Sequence, residues 1–179
     1  MLAAGHVRVW DPLVRIIHWS VAALVVIELF NEAGANPWHR YLGYVAAALV
    51  AARLAWGYGD RGYASLASMA ASARRTLSYL RGEPVVDRGH TPPGALMAFT
   101  LWGLLLLVAV TGWMLGLDQF WGEEWLQQLH EVLAYVLAAC AVIHIVAAFA
   151  ASHVQRVNLV KAMITGDKPA RFVSTSEER

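Results

Sequence analysis

The chain has 179 residues, of which 58% are apolar and 15% charged, and its net charge is +1. A soluble domain carries about 45–50% apolar and about 25% charged residues, and one of this length could not bury so much apolar surface. The composition therefore indicates a membrane protein, and it excludes a disordered chain and a nucleic-acid-binding protein.

Four apolar stretches are each long enough for a helix that crosses a bilayer, which takes about 20 residues. In chain order they cover about residues 13–30, 39–58, 94–117 and 126–152. They predict an all-α fold, an integral membrane four-helix bundle within a domain of residues 1–166, followed by a polar cytoplasmic tail, residues 167–179. A cleaved signal peptide is the alternative for the first stretch, but that stretch contains His18 and Glu28, and no A-x-A-like site follows it.

The basic residues predict the orientation of the four spans. All but one of the 14 Lys and Arg residues lie before the first span, around the loop between the second and third, or after the fourth. Only Arg40 lies on the opposite side, so the positive-inside rule places both termini in the cytoplasm. Tryptophans that could form aromatic belts fall at the two predicted interfaces: Trp38, Trp121 and Trp125 outside, Trp10 and Trp19 inside.

The inner loop contains one further predicted helix. Residues 64–80 are expected to form a short helix on the inner membrane surface, with Arg74 and Arg75 on its polar side. A docking site for a partner is the alternative. Residues 90–94 (HTPPG) are expected to break the chain before the third span.

Four of the seven histidines lie in or at the ends of the predicted spans, where ionisable residues are costly and indicate function. They are His18, His39, His130 and His144. Any one of them alone could be a histidine hydrogen-bonded within the bundle. Their depths, however, pair His18 with His144 in the inner half and His39 with His130 near the outer surface.

The fourth span offers two of these imidazoles on nearly one face. His130 and His144 are 14 residues apart, which leaves them about 40° short of four full turns and about 21 Å apart along the helix. Each can therefore face a histidine of a different helix. Two bis-histidine haem sites in a helical bundle require this arrangement.

Haem suits this pattern better than zinc does. Two nitrogens at each level are too few for a tetrahedral zinc site, whereas a porphyrin supplies four equatorial nitrogens itself. The single cysteine, Cys140, excludes C-x-x-C-H haem attachment and is expected to pack in the core. Gly43, Gly103 and Gly112 are candidates to make room for a macrocycle, with close helix packing as the alternative. Two filled axial positions favour electron transfer over oxygen chemistry.

The other ionisable residues carry weaker signals. His6 is expected on the surface and His153 at the membrane interface. His90 is interpreted as a loop histidine, with a hydrogen bond to a quinone as the alternative. Glu131 either supports His130 or lies at the interface.

Several segments of the chain resemble a known family. Residues 9–12 (VWDP) and 14–19 (VRIIHW) are similar to the opening of the bacterial cytochrome b561 family, in particular its branch of Ni,Fe-hydrogenase b-type cytochrome subunits. The similarity continues through HRYLGY at 39–44, GHTPPGALM at 89–97, LHE at 129–131, His144 and NLVKAMITG at 158–166. The chain departs from the family at residues 91–93, where Thr-Pro-Pro stands in place of the usual Asn-Pro-Leu.

The resemblance implies a multi-pass cytochrome of the bacterial inner (plasma) membrane with two haem b groups. Its axial ligands would be His18 with His144 for the inner haem iron, and His39 with His130 for the outer. Such proteins carry electrons between a periplasmic hydrogenase or c-type cytochrome and the quinone pool. The expected partners are therefore that redox protein, membrane lipid and a bound quinone, with a second copy of the chain, as a homodimer, a further candidate.

Two other functions compete with an electron-transfer subunit. A stand-alone membrane oxidoreductase, such as a superoxide:quinone oxidoreductase, needs an electropositive outer entrance. The outer loops instead carry Glu32, Asp118, Glu123 and Glu124 against Arg40, which favours a basic c-type cytochrome as partner. A channel or transporter with pore-lining histidines is the third possibility.

Overall fold

The computed structural model describes residues 6–8, 11–31, 37–59, 65–82 and 91–169. The α-helices in these ranges are α1 Pro12–Phe30, α2 Pro37–Gly59, α3 Leu66–Ala73, α4 Thr76–Leu80, α5 Pro92–Met114, α6 Glu124–Gln155 and α7 Leu159–Thr165. A 3-10 turn, Asp118–Phe120, joins α5 to α6, and two short strands, β1 His6–Arg8 and β2 Asp167–Pro169, lie at the two ends of the described chain.

Within the described ranges, three helices are long and apolar enough to cross a membrane: α1, α5 and α6. All three coincide with predicted spans. The second predicted span, about residues 39–58, forms a helix of comparable length, the 23-residue α2, but α2 is less apolar and is not in this group. Arg40 and Arg53 both lie within it. The chain is a helical membrane protein.

The four long helices contribute to one apolar core. Ala46 and Val50 of α2 are buried there with Leu105 of α5 and Leu137 of α6, and Val21 of α1 packs against them. Large apolar side chains also cover the outer faces of these helices, for example Ile16 and Phe149, which are 64% and 63% exposed. In a membrane protein such faces contact lipid.

The third span begins earlier than the sequence predicts. Pro92 and Pro93 are the first two residues of α5 and Thr91 is its N-cap, so the expected break up to residue 94 is wrong. Proline fits the first turn of a helix because its missing N–H has no partner there and its φ angle is already helical. The helix ends at Met114, three residues before the predicted boundary.

The inner loop forms two short helices where the sequence predicted one. Arg74 and Arg75 lie exposed between α3 and α4 and interrupt the helix, instead of lining its polar side. Thr76 begins the second helix and its Oγ1 donates to the carbonyl of Ala73 (2.7 Å). In α3, Met69 is 1% exposed and its Sδ lies 3.5 Å from Nη2 of Arg53. The α3 helix therefore packs directly onto the long helices.

The two ends of the described chain meet. Strands β1 and β2 pair in antiparallel fashion, with Val7 opposite Lys168. Nearby, Arg15 donates from Nη1 to the carbonyl of Ile164 in α7. The predicted polar tail thus begins with a paired strand, and residues 170–179 lie outside the described ranges.

Candidate functional site

The structure brings the four candidate histidines together in the two predicted pairs. His39 of α2 faces His130 of α6 with ring centroids 6.2 Å apart and planes at 84°. His18 of α1 faces His144 of α6 with centroids 6.3 Å apart and planes at 63°. Helix α6 therefore contributes one imidazole to each pair, as its 14-residue spacing predicts.

The separation within each pair matches two imidazoles that share one metal ion. A metal–nitrogen bond is about 2.0–2.1 Å long, and the ring centroid lies about 1.1 Å from its nitrogens. Two rings on opposite sides of one ion therefore have centroids about 6.2–6.4 Å apart. Both observed values fall at this distance. Within the described ranges no group of three or more His, Cys, Asp or Glu residues gathers as a metal site.

A cavity of about 770 Å³ surrounds His39 and His130, called the outer pair below, as His18 and His144 are called the inner pair. Its volume lies within the range of about 300–1,000 Å³ typical of small-molecule and cofactor sites. His39 and His130 line it, and small or apolar side chains such as Ala109, Ala134 and Leu137 form much of its wall. The cavity can therefore hold a large flat apolar group between the two imidazoles.

The three glycines singled out in the sequence have different roles. A Cβ atom on Gly43, which lines the cavity, would meet nothing within 4 Å. A Cβ on Gly112 would lie 3.1 Å from Cε1 of His130, so this glycine allows the imidazole to pack closely against α5. Gly103 faces open space and does not line this cavity.

Thr111 of α5 fixes the orientation of His130. Its Oγ1 lies 2.9 Å from Nδ1 of His130 and 3.0 Å from the carbonyl oxygens of Leu107 and Val108. Because the hydroxyl hydrogen donates to a carbonyl, the hydroxyl oxygen accepts from the Nδ1–H of His130. This leaves Nε2 of His130 with a free lone pair for a metal ion.

Glu28 of α1 contacts Nδ1 of His39, as Thr111 contacts Nδ1 of His130. The contact is made by Oε2 of Glu28, and its Oε1 accepts a hydrogen bond from Nδ2 of Asn31 (3.4 Å). Glu28 also lines the cavity. Both histidines of the outer pair are thus held through Nδ1, by a carboxylate on one side and a hydroxyl on the other.

Sequence reasoning missed Glu28 and Thr111 as functional residues. The available signal for Glu28 was its position in an apolar span, where an ionisable group is costly and has a partner. The available signal for Thr111 was weaker, since a threonine in an apolar helix commonly bonds only to its own backbone.

The remaining residues named from the sequence lie in several places, and one of them, Trp19, contacts His18 with ring centroids 5.4 Å apart. His153 is exposed near the end of α6, and Glu131 is exposed on the same helix. Cys140 is a free, half-buried thiol. His6 belongs to β1, while His90 and Trp10 lie outside the described residues. Trp38 and Trp121 are 65% and 86% exposed, as residues of an interfacial belt would be.

The fold and the site together define a class of protein: a helical membrane protein that presents histidines in facing pairs between its long helices. More particularly, the family of prokaryotic cytochrome b561 matches residues 9–166, and the chain belongs to this family. The match is consistent with the hydrogenase b-type cytochrome branch. No curated protein and no solved structure matches the chain.

Membership of this family makes the chain a membrane b-type cytochrome that transfers electrons. The residues of the outer site fit a b-type haem. Two facing imidazoles are suitable ligands for one iron, the cavity around them is large and mostly apolar, and Gly43 leaves space where a side chain would intrude.

Proposed function

We propose that this protein is a diheme cytochrome b that carries electrons across the bacterial inner membrane, between a periplasmic redox protein and the quinone pool. His39 and His130 hold the outer haem, and His18 and His144 hold the inner one. The observation that carries the proposal is the pair of imidazole–imidazole separations, 6.2 and 6.3 Å, each of which fits one iron. Helix α2 also crosses the membrane, and with α1, α5 and α6 it completes a transmembrane four-helix bundle.

Each haem, when bound, supplies an iron that gains and loses one electron. The protein's own part would be to hold one iron between His39 and His130 and the other between His18 and His144, which would leave no position open for oxygen. At the outer level, Thr111 and Glu28 contact the two rings at Nδ1, which leaves Nε2 of each ring as the nitrogen that would bind the iron.

The two levels give the protein a route for electrons through the bilayer. The ligands on α6 are 14 residues apart, which is about 21 Å along the helix. With both termini in the cytoplasm, as the distribution of basic residues indicates, the His39–His130 pair lies on the periplasmic side. The His18–His144 pair then lies toward the cytoplasmic side, from which quinone is reached.

The outer surface supports a basic periplasmic partner, such as a c-type cytochrome or a hydrogenase subunit. Asp118, Glu123 and Glu124 are exposed between the end of α5 and the first residue of α6, and Asp118 lines the wall of the outer cavity with Trp121 and Arg40. Negative charge around the entrance to a redox site steers a positively charged partner toward it.

The proposal predicts the haem content of the purified protein. We expect close to two haem b per chain by pyridine haemochrome assay, with the reduced-minus-oxidised bands of low-spin haem. Four imidazole ligands per chain account for both the number and the spin state. A content of one haem or none, or a high-spin spectrum, would contradict the proposal.

The close packing of His130 on Gly112 predicts a site-specific effect of a single methyl group. In Gly112→Ala, the new Cβ would lie 3.1 Å from Cε1 of His130 and push the ring away from its place. We expect about tenfold weaker retention of the outer haem, the lower end of the range for changes in groups that orient a ligand. Haem loss during titration with apomyoglobin measures this.

Gly103→Ala is the matched control for that variant, since a Cβ at Gly103 meets nothing within 4 Å. It should retain the outer haem as the wild type does. Equal retention in Gly112→Ala and the wild type would show that the position of the His130 ring does not depend on this glycine.

A further inference from the structure

The two histidine pairs differ in what holds their rings. In the outer pair, His39 contacts the carboxylate of Glu28 and His130 contacts the hydroxyl of Thr111. Among the described residues, no carboxylate contacts His18 or His144. Among these residues, a carboxylate therefore lies directly behind one histidine of the outer pair and behind neither histidine of the inner pair.

We propose that Glu28 is a positioning residue that makes His39 an electron-rich ligand and so sets the outer haem to a lower midpoint potential than it would otherwise have. The inference rests on the proposed function, because it requires His39 to ligate the outer haem. It concerns the difference between the two haems, which the family match does not specify.

The placement of Glu28 supports this role. Its side chain is 16% exposed and that of His39 is 29% exposed, so water only partly screens the pair. Asn31 donates to its Oε1, which leaves Oε2 directed at Nδ1 of His39. A carboxylate in this position fixes the ring tautomer, orients Nε2 and raises the basicity of the ligand.

The charge behind His39 acts on the two oxidation states of the iron unequally. Oxidation adds one positive charge to the iron, and the Glu28 carboxylate stabilises that charge through the imidazole. The oxidised form is therefore favoured and the midpoint potential falls. Thr111 offers a neutral oxygen to the other ligand, so its effect on the potential is smaller.

The test is a redox titration of the whole protein monitored by optical and low-temperature EPR spectra. The signal that disappears in His130→Ala identifies the outer haem. In Glu28→Gln we expect the reduced-to-oxidised ratio of this haem, at a fixed ambient potential, to rise about tenfold. That ratio corresponds to about 59 mV for a one-electron couple. Its low-spin ferric EPR signal should move as well, while the inner haem stays unchanged.

Two further variants act as controls. Glu131→Gln removes one negative charge from an exposed position next to His130 in the chain and should leave both potentials as in the wild type. Thr111→Val removes the neutral partner of His130 and should shift the outer potential less than Glu28→Gln does.

An unchanged outer potential and EPR signal in Glu28→Gln would overturn the inference. If only the thermal stability of the protein changed, the contact of Glu28 with His39 would have a structural role and no effect on the potential. If Glu28→Gln did not retain the outer haem, the same titration is done on Glu28→Asp. Its carboxylate lies one methylene group farther from His39, so we expect a smaller rise in the outer midpoint potential. An unchanged potential in Glu28→Asp would refute the inference. Wild-type protein without two haems would instead refute the proposed function.

Discussion

Replacing His130 with alanine is expected to lower the haem content from two per chain to one. His130 forms the outer pair with His39, and their ring centroids lie 6.2 Å apart. Without it the outer iron has a single axial ligand and its site contains an unfilled space. The inner pair, about 21 Å away along α6, keeps both of its ligands. The remaining haem should therefore be low-spin, with a single midpoint potential.

His144→Ala is the reciprocal experiment on the same helix. It should remove the inner haem and leave the outer one, so that the two variants together account for both potentials of the wild type. His153→Ala is the matched control, because it alters an exposed histidine of α6 outside both pairs, and it should retain two haems. Loss of neither haem in His130→Ala would refute the pairing. Loss of both would show that the two sites do not assemble independently.

The pairs could be predicted from the sequence because they depend on regular helix geometry. A rise of about 1.5 Å and a turn of about 100° per residue fix the depth and face of His130 and His144 once the span is recognised. The bounds of the four long helices were likewise predicted to within a few residues. Contacts between α1 and α2 are different, since the rotation of one helix against another is set by packing, and the contact of Glu28 with His39 follows from that rotation.

The environment of Arg53 is a second feature that the sequence pattern does not predict. The sequence counts it among the basic residues of the inner side, but the structure buries it to 3% exposure. Its guanidinium lies 5.3 Å from the ring centroid of Trp102 and contacts Met69 of α3. A planar, weakly hydrated guanidinium suits such packing against an aromatic face. No counting of charges along the chain distinguishes this position from an exposed one.

The interruption between α3 and α4 likewise depends on tertiary packing. The apolar pattern of residues 64–80 is continuous enough for one helix, and helix propensity does not forbid it at Arg74 and Arg75. The buried Met69 anchors α3 on the long helices, and the chain then turns. Whether a short amphipathic segment forms one helix or two depends on the residues it packs against, and its own sequence does not contain this information.

Replacing Gly43 with leucine is expected to abolish binding of the outer haem without unfolding the protein. Gly43 lies on α2, four residues after His39, and lines the outer cavity. A Cβ there meets nothing within 4 Å, so the leucine side chain starts in open space. Because Gly43 lines the cavity, the rest of the side chain would occupy volume that the haem needs. The haem content should fall to one per chain, with the inner potential unchanged.

Gly59→Leu separates this effect from a general effect of leucine for glycine in α2. Gly59 also has nothing within 4 Å of a Cβ, but it ends the helix and does not line the cavity. It should retain two haems. Two haems in Gly43→Leu would show that the macrocycle does not lie against α2 at this position. One haem in both variants would show that α2 tolerates leucine at neither glycine, and the effect would then belong to the helix and not to the cavity. The expected pair, one haem in Gly43→Leu and two in Gly59→Leu, would place the outer haem in the 770 Å³ cavity between His39 and His130.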